Sequence, residues 1–325
     1  MEEEILKNLY RQHLIQTGDK ILIGVSGGAD SIALLLILNQ LKTTIGFQIH
    51  VGHINHHLRK SALADQRFVE KVCTSLNLAC TCIDLDLKKT IKQGGSVEEI
   101  ARKERLKALG QIAKKIRAHA VALAHHNDDL AETVLMRILR GTGLQGLQAI
   151  LPYRNINGTV FIRPLLDVSR AQIEGYLKKN KIKFRSDPTN TQTRFFRNKI
   201  RLKLLPLLEK DYQKNIKHIL SHLALTSAED YDYLRQQALA IFPKITQQTK
   251  KTISITLTKF KILPIALQRM ILRLAIEKIK SHTRTLTWSH YNELADLITR
   301  RPTDSIVDLP SGLRASKTKT ALILF

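Results

Sequence analysis

The hydrophobic run KILIGV, Lys20 to Val25, empties into Ser26-Gly27-Gly28-Ala29-Asp30-Ser31, and the apolar stretch Ile32 to Ile37 follows at once. No other feature restricts the fold as tightly. A strand must end in a tight turn, which two adjacent glycines permit, and a helix must begin immediately. The first N–H groups of that helix lack partners and carry the positive end of its dipole. Such a junction holds an anion against main-chain amides, and serine hydroxyls add donors. An aspartate beside a phosphate calls for a divalent cation between them. Mg²⁺ commonly combines carboxylate with phosphate oxygens, so Asp30 is the candidate metal ligand. The loop is neither GxxxxGK[ST], since no lysine reaches toward phosphate, nor GxGxxG.

From Lys20 to about Phe184, strand-like runs alternate with helical ones. KILIGV, FQIHVGHI, LACTCIDLDL, HAVALAH and TVFIRP are the expected strands; Ser31–Leu41, Ala62–Leu76, Val97–Ile116 and Asp128–Arg140 are the expected helices. This order predicts an α/β fold with an open, mostly parallel sheet covered by helices on both faces. Ser96 with Glu99 three residues on reads as a helix start. RFFRNKIRLKLLPLLEK predicts an amphipathic helix on which Arg194, Arg197 and Arg201 share a face, with Leu204, Leu205, Leu207 and Leu208 as its packing surface.

The remainder reads as a smaller helical or α+β domain, giving an expected division into 1–205 and 206–325. Ile216, Ile219 and Leu223 mark a helical stripe, TISITL alternates like a half-buried strand, and Pro264 precedes another helix. The segment from Asp304 to Phe325 predicts antiparallel strands around Pro310-Ser311-Gly312. Binding of RNA and formation of a homodimer are the two readings of this unit.

Charge narrows the partners. Lys and Arg number 52 against 28 Asp and Glu, a formal net charge of +24. So basic a chain attracts polyanions, with nucleic acid the first candidate. No apolar run is long enough to span a bilayer, and MEEEILKNLY is acidic where a signal peptide is basic, so the expected location is the cytoplasm without membrane contact. Cys73, Cys80 and Cys82 form no CxxC couple and are read as reduced; Cys80 and Cys82 share a strand face.

AHHNDDLAETVLMRILRGTGLQGL carries a second constellation. Asp128 is expected to cap or open a helix; Asp129 and Glu132 share one face and can converge on a metal or on an ammonium group. His125 and His126 suit packing or capping as well as chemistry. At the end of the second strand, His53 and Asn55 lie where an open parallel sheet places ligand contacts. Arg102 and Arg105, three apart, can face the same cleft.

These residues carry a family resemblance. SGGADS resembles the SGGxDS loop of the N-type ATP pyrophosphatases, or PP-loop enzymes, which split ATP to AMP and pyrophosphate. The block from His125 resembles HxxDDxxETxLMRLLRGTGxxGL of the tRNA(Ile)-lysidine synthases; His53 to Arg59 resembles their HVxHxLR, Glu99 to Arg102 their EAAR, and Asp187 to Leu208 their DxSNxxxxxxRNxIRxxLLPxL. Four ordered blocks span roughly residues 17 to 210. His57 stands where that family often has glycine, and Thr189 replaces the commoner serine.

The resemblance implies a Rossmann-like PP-loop fold and a ligase that joins free lysine to C2 of the wobble cytidine in the CAU anticodon of tRNA(Ile). ATP is a substrate and Mg²⁺ the metal. Ser26, Gly27, Gly28, Ala29, Asp30, Ser31, His53 and Asn55 are implied in nucleotide binding. Asp129 and Glu132 are implied in holding lysine, and Arg102 in stabilising phosphate charge. Arg197 and Arg201 approach either the α-phosphate or the anticodon backbone. A PP-loop tRNA sulfur transferase and a non-enzymatic RNA-binding protein are the alternatives.

Overall fold

The computed structural model describes residues 1–55, 62–85, 97–185, 195–280 and 286–325. The sequence readings at His57, Arg59, Ser96, Asp187–Asn190 and Arg194 lie outside the described residues. The described chain falls into two compact units, Met1–Ser227 and Ala228–Phe325.

In the first unit, α1 (Glu2–Arg11) precedes β1 (Lys20–Gly24), α2 (Ala29–Ile45), β2 (Gln48–Asn55), α3 (Ala62–Ser75), β3 (Ala79–Asp84), α4 (Val97–Lys115), β4 (Ala120–Ala122) and α5 (Asn127–Leu139). A single turn, α6 (Leu144–Leu147), leads to β5 (Tyr153–Ile156), β6 (Thr159–Ile162) and α7 (Arg170–Lys179). The strands order as β3-β2-β1-β4-β6-β5, all parallel except the edge strand β5, which pairs antiparallel with β6. The chain winds outward from β1 to β3, then returns to the other side of β1 with β4. That reversal opens a crevice beyond the carboxyl ends of β1 and β4, where open α/β sheets bind ligands.

Strand periodicity sorts the core into two layers. Ile21 and Ile23 point to a layer formed with Ile32, Leu34 and Leu35 of α2, Val69 of α3 and Ile173 of α7. Leu22 points the other way, onto Leu109 and Ile112 of α4 with Val121 and Phe161. Helices therefore cover both faces, as the sequence predicts. A third cluster joins Leu130, Val134 and Leu135 of α5 to Leu166, Ile200 and Leu205.

The basic helix, α8, is a composite: α-helical over Phe196–Lys199, π-helical over Ile200–Leu204 and α-helical again over Leu205–Asp211. Leu205 is its buried leucine, whereas Leu207, expected in the packing surface, is exposed; the wide π turn rotates the later residues off the expected face. Helix α9 (Ile216–Ile245) follows. Leu220 and Ala224 pack into the third cluster, so the first unit runs past residue 205 into this helix. The stripe expected at Ile219 and Leu223 is exposed, because burial falls on the neighbouring face of α9.

The second unit holds a five-stranded antiparallel sheet in the order β7-β8-β11-β10-β9 (Thr246–Gln248, Ile253–Thr256, Ala321–Leu324, Leu313–Lys317, Ile306–Leu309). It packs with α11 (Ile265–Lys280) and α12 (Trp288–Thr299), which follow the short α10 (Leu257–Lys261). Ile255, Phe260, Ile271, Leu274, Leu294 and Leu322 form its core. No helix among the described residues is long and apolar enough to cross a membrane.

Candidate active site

The loop after β1 is shaped by its own side chains. Gly27 adopts φ +86°, a left-handed conformation costly for a residue with a Cβ, and Gly28 in extended conformation caps α2. The buried Ser31 hydroxyl donates to the Gly28 carbonyl at 3.0 Å and accepts from the Ser26 N–H at 3.2 Å. Ser31 thus holds the loop closed, while Ser26 is exposed and can offer its hydroxyl to a ligand. The loop opens on a cavity of about 180 Å³, also lined by Gly24, Gly52, Ile54, Arg105, Leu123 and His125. That volume exceeds the roughly 30 Å³ share of one water severalfold, and so admits part of a ligand.

His53 and Asn55 do not line this cavity; Gly52 and Ile54 do. The two-residue period of β2 turns alternate side chains away from each other. His53 is buried and donates from Nδ1 to the Val25 carbonyl at 2.8 Å, tying β2 to the root of the loop. Asn55 is buried and donates to Gln66 at 3.3 Å. His53 therefore supports the loop, whereas Asn55 ties β2 to α3.

Asp30 sits in the first turn of α2, half-buried, with Oδ1 accepting from Arg170 Nη1 and lying 3.7 Å from His126 Nε2. Its Oδ2 has no hydrogen-bond partner among the described residues. A hard carboxylate oxygen beside unpartnered amides at a helix start fits a magnesium ion. Arg170 is itself positioned by Glu174 at 2.7 Å, and its N–H donates to Asp128 Oδ2 at 2.8 Å. Asp128, expected to cap or open α5, lies in its first turn and pairs with Lys217 at 3.0 Å; His126 takes the cap position. Burial raises the Asp128 carboxyl, but the Arg170 N–H and Lys217 outweigh it and leave it below the ordinary range.

The second cluster lies next door. Asp129 accepts from the His126 N–H through Oδ2 at 3.2 Å, and His126 Nε2 stands 3.4 Å from the same oxygen. Asp129 Oδ1 accepts from Arg197 Nη2 at 2.8 Å and Arg201 Nη2 at 3.0 Å. Glu132, only 1% exposed, accepts Arg197 Nε at 2.8 Å on Oε2, Arg201 Nε at 2.5 Å on Oε1 and Arg201 Nη2 at 3.0 Å on Oε2. Burial pushes the Asp129 carboxyl up, but His126, Arg197, His125 and Arg201 bring it well below the usual carboxylate range. His126 stands between Asp30 and Asp129, which makes the loop and the acid–arginine cluster one continuous site.

The two arginines of α4 divide their roles. Arg102 Nη1 meets His125 Nε2 at 3.3 Å, whereas Arg105 lines the cavity and its Nε has no hydrogen-bond partner among the described residues. Burial beside Arg102 and Arg197 pushes Arg105 down to about 10, still protonated at neutral pH. A desolvated cation with no ion pair among the described residues, facing the main-chain amides of the loop, is suited to receive negative charge. Burial also pushes His125 well below the ordinary histidine range; Asp129 opposes the shift and Arg102, Arg163 and Arg105 add to it, so the ring stays neutral. Sequence reasoning placed Arg102 and Arg105 on one face but chose the former for phosphate. It missed Arg170 and Lys217, for which no local pattern exists.

The cysteines stand apart from this site. Cys80 and Cys82 do share a face of β3, their sulfurs 3.9 Å apart, and burial beside Cys80 and Glu70 pushes the Cys82 thiol up to about 12. Protonated thiols on an edge strand are poor nucleophiles.

Comparison with known proteins agrees with this geometry. Residues 1–208 match the family described as a PP-loop domain. The tRNA(Ile)-lysidine synthase of Caldanaerobacter subterraneus subsp. tengcongensis is 35% identical across 100% of this chain and 69% of its own length. That of Clostridioides difficile is 34% identical across 99% of this chain and 70% of its own. Among solved structures, the U34-tRNA thiolase NcsA of Methanococcus maripaludis superposes with a TM-score of 0.57 at 18% identity, covering 69% of this chain and 77% of that one, a likeness of fold alone. On this sequence identity and the PP-loop match, the chain belongs to the tRNA(Ile)-lysidine synthase family.

Proposed function

We propose that the protein forms lysidine on tRNA(Ile) by ligating free lysine to C2 of the wobble cytidine of the CAU anticodon, with ATP as the second substrate. The observation that carries this reading is the junction, through His126, of a phosphate-holding loop with a buried pair of carboxylates. The first half suits a nucleotide and the second suits an amine, and a ligase of this kind needs both within one cleft.

In the first step the cytidine O2 attacks the α-phosphorus of ATP, the bond to the bridging oxygen breaks, and pyrophosphate leaves. The amides and hydroxyl of Ser26–Ser31 and the Arg105 guanidinium stabilise the charge that grows on the phosphoryl oxygens. Asp30 would hold Mg²⁺, which would supply Lewis-acid neutralisation of phosphate charge. In the second step the neutral ε-amine of lysine attacks C2, AMP departs with O2, and the amine releases its proton to solvent. Asp129 and Glu132 hold the remaining ammonium of the amino acid. Arg102 fixes the neutral tautomer of His125 beside the cavity wall.

The +24 charge suits a polyanionic substrate, and single-stranded anticodon bases can be splayed into a cleft while lysines and arginines hold the backbone. The cytoplasm, where tRNA is modified, is the location this reading implies. The second unit is assigned to RNA contact or to pairing with a second copy. Release of AMP from ATP, measured with tRNA(Ile) and either lysine or a sulfide donor, tests the reading. Lysine-dependent, sulfide-independent turnover supports it; the reverse result makes the protein a sulfur transferase, and no AMP with either makes it an RNA-binding module.

A further inference from the structure

The carboxylates assigned to the amine are already occupied. All four oxygens of Asp129 and Glu132 accept hydrogen bonds, from Arg197, Arg201 and the His126 N–H. Glu132 is 1% exposed and Asp129 13%, so neither presents an open face to a newcomer. An ammonium entering this arrangement would be a further cation among two guanidiniums, competing for the one lone pair left on each of Asp129 Oδ2 and Glu132 Oε1. Desolvating it there with so few acceptors is unfavourable.

The guanidiniums, by contrast, have somewhere to go. Arg197 and Arg201 are 24% and 35% exposed, and the π turn Ile200–Leu204 that carries Arg201 is the kind of helix irregularity that accompanies functional sites. Both guanidiniums are bonded to Asp129, which stands 3.4 Å from His126 Nε2, and that nitrogen stands 3.7 Å from Asp30 of the loop. A phosphate anion placed in the loop cavity therefore draws on the same two cations that neutralise the acid pair.

We propose that Arg197 and Arg201 are resident counter-ions of Asp129 and Glu132, and that the amine substrate is admitted only after phosphate in the loop cavity has drawn the guanidiniums away. This rests on the lysine-ligase reading above. It makes binding ordered, with nucleotide and RNA first and amine last, and it keeps the acid pair from holding a stray ammonium before an activated cytidine exists. Linkage requires the effect to be reciprocal: lysine must tighten nucleotide binding by the same factor by which nucleotide tightens lysine.

The test is equilibrium binding of radiolabelled lysine to the full chain alone, with Mg²⁺ and α,β-methylene-ATP, and with both plus a tRNA(Ile) transcript. Expected is lysine affinity at least tenfold weaker for the protein alone than for the complete mixture, with the reciprocal tightening of the analogue. Arg201→Gln should raise the affinity of the ligand-free protein about tenfold and remove most of the nucleotide dependence, and Arg197→Gln should act the same way. Equal lysine affinity in all three wild-type conditions overturns the proposal whether or not either variant folds. So does a folded Arg201→Gln protein whose ligand-free affinity is unchanged. If lysine binds in no condition while tRNA-dependent AMP release persists, the lysine reading itself fails and the proposal falls with it.

Discussion

Arg201 grips Glu132 with two donors, Nε to Oε1 at 2.5 Å and Nη2 to Oε2 at 3.0 Å, and reaches Asp129 Oδ1 with the same Nη2. A planar guanidinium matched to a carboxylate in this way fixes geometry as well as charge. The pair pins the π turn of α8 to the first half of α5, so the contact belongs to the fold as much as to the chemistry. Glu132→Gln keeps the shape and removes the charge. Because Glu132 is buried but both arginines can regain water, the expected loss of stability is about 2–3 kcal/mol, near the lower end for a broken buried pair. Urea unfolding measures it; an unchanged midpoint would make the cluster irrelevant to the fold.

Asp30→Asn tests the metal assignment. The amide keeps a partner for Arg170 but not the charge that a magnesium ion requires. AMP formation should fall by about a hundredfold or more. Affinity for tRNA should stay within twofold, since the phosphate backbone is held elsewhere. Equal loss in both measurements would mean that the loop has collapsed.

Arg105→Met should raise the KM for ATP and lower kcat together, by about tenfold to a hundredfold overall, because it removes a desolvated cation facing the loop. Arg102→Met acts through His125 and should be milder. Steady-state kinetics of the two variants decide the order, and a more damaging Arg102→Met would return the phosphate role to that residue.

Acid should unfold the protein in two stages. Native His125 stays neutral while the unfolded chain binds a proton below about pH 6.5, so its contribution is complete above that value and is lost as the pH falls beneath it. Native Asp129 stays ionised below the usual carboxylate range, so its contribution is complete above about pH 4 and is lost as the pH falls toward the native value. Urea midpoints should decline between pH 7 and pH 5 in the wild type and much less in His125→Asn. Asp129→Asn should flatten only the part below about pH 4.

Much of this was legible before the fold. The strand–glycine–helix junction predicted the tight turn between β1 and α2, and the alternation of apolar runs predicted the parallel sheet and its helical layers. The edge strand β5 was missed because YRNI is short and polar, and α7 because its amphipathic pattern is weak; the Ser169–Gln172 capping box that starts it was readable but not used. Spacing put Arg102 and Arg105 on one face of α4, and only the position of His125 after β4 separates their tasks. Asp129 and Glu132 were recognisable as a pair from their spacing. Their pairing with Arg197 and Arg201 was not, since contacts across more than sixty residues are set by packing. Arg170 and Lys217, which brace Asp30 and Asp128, have no signature at all until the chain is folded.

The most direct measurement is transfer of radiolabelled lysine into a tRNA(Ile) transcript with a CAU anticodon, in the presence of ATP and Mg²⁺, with AMP counted in the same reaction. The account predicts one lysine incorporated for each AMP released, and no incorporation when the wobble cytidine is replaced by uridine. AMP released without lysine entering the RNA, or lysine incorporated equally into the uridine transcript, would contradict it.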